Sequence, residues 1–404
     1  MDTAQIVEEV EIERIYQHVL EIEGPRHPID ALEKLNDAAD YISSEFRKYG
    51  LRVTEQEFKV EDFDATFRNV EGTMGNEKGP EFLIVSHYDT VRDSPGANDN
   101  GSGVAVMLES ARVLVQKEGI CNLRFVSFTL EERNPAYELK IRKVAQNLGL
   151  TDKQNRYTSQ RTHRLMKRLI ELQTKALTAG KNPAEALREA RSKLKDQMSK
   201  TEIEYAEQIE DLYSGITVTS WPGKTALLGS GFWVEKAVRV KKNVLGVLNL
   251  ETLGYMSNKK NSQTLPEGME PSMFQTHNVQ DVTVGNFIVI VGDANSDKLA
   301  QSFCNQCKLD SVDLPYACLQ VPLRFEDIAQ FGLFDILRSD HAPFWREGIP
   351  SLMLTDTANF RYPFYHTQAD TIDKLDFDFM AKVCKATIAT AIDYAHISQA
   401  HGDM

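Results

Sequence analysis

The sequence predicts an α/β fold: a mostly parallel, mixed sheet sandwiched by helices, with a helical-hairpin insertion. Three observations predict it. Short apolar runs recur at 81–87, 123–130, 244–250, 286–291 and 351–355. Segments with apolar residues at three- and four-residue spacing lie between them, and strands alternating with helices form parallel sheets covered on both faces. One long block, 133–225, reads as mostly helical and interrupts the alternation.

Residues 4–22 and 29–49 carry helical apolar spacing, and 51–59 and 66–74 alternate as strands do. The run 81–87 is continuously apolar, as in a strand buried on both faces. A helix follows from Gly103 to about Gln116, presenting Val106, Leu108, Ala111 and Leu114. Further helices are expected between the later strands, at 294–307 and over 377–397. Within the insertion, 152–213 is helical and broken once at Thr178–Lys181. Asn182 caps the restart, Pro183 suits the first helical position, and Glu185 completes a capping-box-like arrangement. The first helix carries the stripe Leu165, Leu169, Leu172, Ala176, and the second Leu187, Ala190, Leu194, Met198, Ile203, so the two pair as a hairpin. The expected division is a catalytic domain from 1–132 and 226–404, with 133–225 an arm, a lid or an oligomerisation element.

At 404 residues, 42% hydrophobic and 26% charged, the chain suits one large domain with an insertion. No secretory signal and no apolar run of membrane-spanning length is evident, and five cysteines do not describe a disulfide scaffold. A cytoplasmic location without membrane association is expected. The net charge of −13 argues against nucleic-acid binding. Residues 151–200 hold 13 Lys/Arg against 5 Asp/Glu, a local +8 on a body of −21. This basic segment is expected to be solvated, to meet an acidic substrate, or to join a homo-oligomer through 150–215.

The chemistry-bearing residues fall where apolar runs stop. Phe82-Leu83-Ile84-Val85 runs into His87 and Asp89, Phe125–Leu130 into Glu131 and Glu132, and Val247–Leu250 into Glu251. Asp99 lies in the glycine-rich stretch 96–103, where it is read either as a helix cap or as a metal-approaching carboxylate. His366 follows the run at 351–355. Strand ends of an open α/β sheet line the crevice where ligands bind. His87 and Asp89 suit a metal-bound imidazole oriented by a carboxylate. In the adjacent glutamates, one is suited to ligate and the other to take a proton from water.

Read together, SHYDTV (86–91), SPGANDNGSG (94–103), FTLEE (128–132), NLETLGY (249–255), SDHAPFW (339–345) and TDTANFRYPFYHTQADT (355–371) resemble the di-zinc aminopeptidase family typified by bacterial leucyl aminopeptidases. Glutaminyl cyclases and glutamate-type carboxypeptidases are more distant relatives on the same zinc-exopeptidase fold. The resemblance spans about 29–395, interrupted by the insertion. It implies two Zn2+, replaceable by Co2+ or Mn2+. His87 and Glu251 would serve one zinc, Glu132 and His366 the other, with Asp99 bridging both. Asp89 would orient His87, and Glu131 would be the general base. His341 is assigned to the oxyanion or carbonyl, and Arg361 to that job or to a substrate carboxylate. Glu251 stands where many members carry Asp, which places the chain in a Glu-bearing branch. In a related metallopeptidase family, Glu here accompanies carboxypeptidase or acyl-amino-acid substrates. The tyrosine that some members carry before the SDH segment is absent from Phe334–Arg338.

The expected function is therefore zinc-dependent hydrolysis of the N-terminal peptide bond of peptides. The alternatives are a carboxypeptidase or an N-acyl amino acid amidohydrolase on the same site, and a non-catalytic scaffold. Cys304 and Cys307 lack a second pair at zinc spacing and read as a coincidence of helix faces.

Overall fold

The computed structural model describes residues 2–75, 79–117, 122–266 and 268–401, so Cys121 lies outside the described residues. The N-terminal helical segment is split at Glu8–Glu11 into α1 (Thr3–Val7) and α2 (Ile12–Ile22). Helix α3 (Leu32–Lys48) precedes strands β1 (Arg52–Lys59), β2 (Thr66–Met74) and β3 (Glu81–His87). Helix α4 (Gly103–Leu114) leads to β4 (Asn122–Phe128). After the helical segment that follows β4 come α9 (Leu228–Arg239) and β5 (Val244–Glu251). The remaining strands are β6 (Gln275–His277), β7 (Ile288–Gly292), β8 (Tyr316–Gln320) and β9 (Ser351–Thr355). Helices α10 (Asp297–Cys307), α11 (Phe325–Gln330), α12 (His341–Arg346) and α13 (Phe377–His401) complete the chain.

The nine strands form one mixed sheet in the order β1-β2-β4-β3-β5-β9-β7-β8-β6. Its centre, β4-β3-β5-β9, is all parallel, and antiparallel pairs lie toward both margins. Alternation within the central strands fills both faces. Phe82 and Ile84 of β3 join Leu248 and Leu250 of β5 in a core with α2, α3, α4, α10 and α13. Leu83, Val85 and Val247 point the other way, onto Trp233 and Val234 of α9 and Phe344 of α12. The parallel strands therefore end together, with His87, Glu131 and Glu251 on one rim.

The segment expected to be an insertion comprises α5 (Pro135–Asn147), α6 (Gln160–Thr178), α7 (Pro183–Leu194) and α8 (Lys200–Leu212). Its two expected helices are three, because the chain breaks after Leu194 and restarts at Ser199. Ser199 and Glu202 form a second capping box, while the expected one at Asn182 and Glu185 is present. The apolar stripes pair as expected: Leu165 and Leu169 meet Leu187, Ala190 and Leu194, with Ala206 and Ile209 of α8 closing a separate core. The local positive charge is answered within the arm, where Arg161, Arg188 and Arg191 pair with Glu202, Glu207 and Glu210 of α8. No helix among the described residues is long and apolar enough to cross a membrane.

One buried contact makes stability sensitive to pH. His18 of α2 is buried, with its ring nitrogens 2.7 Å from the Tyr41 hydroxyl and 3.1 Å from the Tyr49 hydroxyl. Burial, opposed by Glu45, lowers its pKa to about 4. A base lowered on folding binds fewer protons folded than unfolded, so its contribution is complete above the ordinary value of 6.5 and is lost as pH falls toward 4. At pH 5 the loss is about 2 kcal/mol. Urea midpoints at pH 7 and pH 5 should drop further for the native chain than for His18→Gln. Equal drops would rule the contribution out.

Candidate metal centre

Three candidate ligands, Glu131, Glu251 and His366, sit at or beside a left-handed turn of the backbone. Leu130 before Glu131, Thr252 after Glu251 and His366 itself adopt left-handed backbone, with φ of 56°, 48° and 58°. Such conformations in non-glycine residues, above all a β-branched threonine, collect at functional sites. Asp89 accepts the backbone N–H groups of Glu131 (3.1 Å) and Glu132 (3.2 Å) and lies 3.5 Å from His87 Nδ1. One carboxylate thus fixes both the turn that presents the two glutamates and the neighbouring imidazole. Gly229 lets the returning chain press against that turn: a Cβ there would lie 2.2 Å from the Thr129 carbonyl.

Asp99 is not a helix cap. Asn100 takes that role, its Oδ1 accepting the N–H of Gly103, while Asp99 turns toward the imidazoles. Its loop is held by buried groups that attracted no notice in the sequence. Asp370 accepts the N–H groups of Asn98 and Asp99, Asp356 accepts from Asn98 and Tyr255, and the Arg26 guanidinium donates to five carbonyls, including Pro95 and Gly96. These partners lie up to about 270 residues away in sequence, so local patterns carry no trace of them.

The result is two groups of side chains about one shared aspartate. His87 Nε2 lies 3.4 Å from Asp99 Oδ1 and 3.4 Å from Glu251 Oε2. His366 Nε2 lies 3.0 Å from Asp99 Oδ2 and 3.2 Å from Glu132 Oε2. Glu131 is further off, 4.0 Å from His87. Ser339 donates to Glu251 at 2.7 Å and accepts from Asn249, a support the motif reading overlooked.

Burial raises the Glu131 carboxyl well above its ordinary range, His87 opposing and Glu251 reinforcing. Burial also raises Glu132. Burial would depress the His366 imidazole, but Glu132 and Asp99 outweigh it and bring it up to about 9. His87 Nε2, Asp99 Oδ2, Glu132 Oε1 and His366 Nε2 are buried without a hydrogen-bond partner. Converging, partnerless imidazole nitrogens and carboxylate oxygens are the donor set that borderline divalent cations such as zinc accept. His87 with Glu131 and Glu251, and Asp99 with Glu132 and His366, each have ligand atoms within 4.8 Å of one another. The residues fit the metal.

Two expected site residues are not brought to this cluster. His341 is fully buried at the start of α12, its Nε2 2.8 Å from the Ile336 carbonyl and its ring edge-on to Trp345. Burial holds its pKa near 4, so it is a neutral structural imidazole. Arg361 is buried in contacts with Gln263, the Phe287 carbonyl and the Phe287 ring. The groups that do face the opening are Arg338 and Tyr365, whose Nη2 and hydroxyl lie 3.4 Å apart. Neither stood out in the sequence.

Two hollows open on either side of Glu131. One is strongly apolar, lined by Met269, Phe274, Phe287, Val289, Leu319 and Met353, and it reaches Asp99, Glu131 and Glu251. The other, about 320 Å³, lies between the insertion and the rim, where Glu131, Glu132 and His366 meet Tyr157, Tyr205 and Tyr213. Leu227 and Leu228 bond back to the Glu131 and Leu130 carbonyls, and Asn134 to Thr225, so the arm leaves and rejoins the body beside Glu131.

The sequence profile of peptidase family M28 matches residues 69–285 and 320–391. The chain is 24% identical over 389 residues to the uncharacterized protein YfbL of Escherichia coli, covering 94% of this chain and 86% of that protein. It is 53% identical over 58 residues to the aminopeptidase YwaD of Bacillus subtilis, 14% of this chain and 13% of that one. Its fold is similar to that of a Zn-dependent exopeptidase from Parabacteroides distasonis, with a TM-score of 0.54, 14% identity and coverage of 95% and 98%.

Proposed function

Since the chain belongs to peptidase family M28 and is a zinc-dependent peptidase, we propose that it is an exopeptidase hydrolysing the N-terminal peptide bond of peptides at a two-metal site. The observation that carries this reading is the single Asp99 carboxylate directed by one oxygen at His87 and by the other at His366. In this reading His87 and Glu251 would hold one ion and Glu132 and His366 the other, with Asp99 available to both. Zinc bound there supplies Lewis acidity that polarises the scissile carbonyl and acidifies a water.

The chain's own residues do the rest. Asp89, 3.5 Å from His87 Nδ1, is the group that would favour the tautomer leaving Nε2 free. Glu131, the carboxylate furthest from the imidazoles of its group and facing both hollows, takes a proton from water and returns it to the leaving amine. Arg338, held by Asp335, Asn359 and Tyr365, lines both hollows with Glu131 and in this reading faces the carbonyl oxygen as it gains charge. It thus supplies the stabilisation for which the tyrosine is absent. The apolar hollow receives the N-terminal side chain, and the insertion limits access from the other side.

The test measures zinc per chain by elemental analysis, and turnover of amino-acid anilides with free and acetylated amino groups. Two zinc ions and cleavage of the free amine only are expected. Cleavage confined to acetylated substrates would replace this reading with an acyl-amino-acid amidohydrolase.

A further inference from the structure

The hollow under the insertion carries a cation with no partner. Arg133 follows Glu132 directly, lines the hollow and is exposed to it, yet it makes no hydrogen bond or ion pair among the described residues. The acid that feels its charge, Glu138, is already committed to His27 and Arg142. The same hollow is lined by Tyr205 of α8 and by Tyr213 just past the end of that helix, and both hydroxyls feel the charge of Arg133. Neither hydroxyl has a hydrogen-bond partner among the described residues. Burial keeps both protonated, so they are donors.

An unpaired guanidinium flanked by free hydroxyl donors recognises a carboxylate. The hollow's volume falls at the lower end of the roughly 300–1,000 Å³ of small-molecule sites. Residues of all four helices of the arm line it, among them Ile141, Leu169, Leu187 and Tyr205. Among the described residues lining the opposite, apolar hollow the one cation is Arg338, which is held by Asp335 and Asn359. A substrate with an apolar side chain at one end and a carboxylate at the other is therefore oriented across Glu131.

Resting on the exopeptidase reading above, we propose that this hollow is a carboxylate subsite. Arg133, with Tyr205 and Tyr213, receives the free C-terminal carboxylate of a di- or tripeptide whose N-terminal residue lies in the apolar hollow. The insertion then selects for peptides whose two termini are only one or two residues apart.

The experiment uses leucyl-phenylalanine and its C-terminal amide, each with a free and an acetylated amino group. Binding to the zinc-free protein is followed by calorimetry, and turnover is measured with zinc. The free acid is expected to bind, and to give kcat/KM, about ten- to a hundredfold better than the amide, in line with one charge-assisted contact. Arg133→Met should erase that ratio and Arg133→Lys should restore part of it. Arg133 is exposed, so neither substitution endangers folding. Equal binding of acid and amide to the native chain, or a ratio that survives in Arg133→Met, overturns the subsite. Loss of turnover on acetylation supports the exopeptidase reading, and turnover only after acetylation overturns it. Acid-over-amide discrimination in the binding measurement decides the subsite in either case.

Discussion

Replacing Glu131 by glutamine is expected to lower kcat by 10²- to 10⁴-fold, the range a positioned general acid–base residue contributes. KM and zinc content should change little. Glutamine keeps the shape, and the backbone N–H that Asp89 holds is untouched. A second readout separates this role from a structural one. Burial, reinforced by Glu251, Glu132 and Asp340, raises the Glu131 carboxyl in the folded chain. A carboxyl raised on folding stabilises most below its unfolded pKa, near 4.5, and that stability is lost as pH rises through the folded value. At neutral pH the residue therefore destabilises the zinc-free protein, and Glu131→Gln should melt higher than the native chain when both are zinc-free. A residue kept for folding would show the reverse. A variant with native kcat would remove Glu131 from the reaction, and a lower zinc-free melting temperature would remove the argument from burial.

Why some of this was legible and some was not follows from where each signal is stored. His87, Glu131 and Glu251 stand out because an acid or imidazole at the end of a buried apolar run is costly without a partner, and that contrast is local. Asp99 was ambiguous, because the glycines that let a carboxylate approach a cation are also those of a helix start; only the register of Asn100 under Gly103 resolves it. Arg26, Asp356, Asp370 and Ser339 were invisible, being buried polar groups whose partners are remote in sequence. His341 misled for the converse reason: it sits in a chemically suggestive triplet, but its nitrogen is spent on a carbonyl five residues back. Likewise the stripe through Met198 and Ile203 hid the capping box at Ser199, so one expected helix is two. The edge strand β6, three residues long, was too short for periodicity to register.

The second large effect is expected at Asp99. In the native chain one oxygen of this carboxylate faces each imidazole, and burial is outweighed by the closeness of His366 and His87, which hold its pKa below the ordinary range. Asparagine offers one carbonyl oxygen and no charge, so it cannot satisfy both sides. It also turns an N–H2 toward a site built to hold cations. Asp99→Asn should therefore weaken zinc binding by more than the 10- to 100-fold typical of an outer partner. Asp89→Asn, which touches His87 only through Nδ1, should stay within that range. Elemental analysis after dialysis is expected to find two zinc ions per chain in the native protein and fewer than one in Asp99→Asn. The melting temperature should agree. A ligand bound only by the folded state stabilises by about 2.7 kcal/mol at a hundredfold excess over its Kd. A chelator should accordingly lower the native transition and leave that of Asp99→Asn in place. If Asp99→Asn kept both ions with native affinity, the two groups of ligands would be independent sites, and a shared carboxylate would not be what joins them.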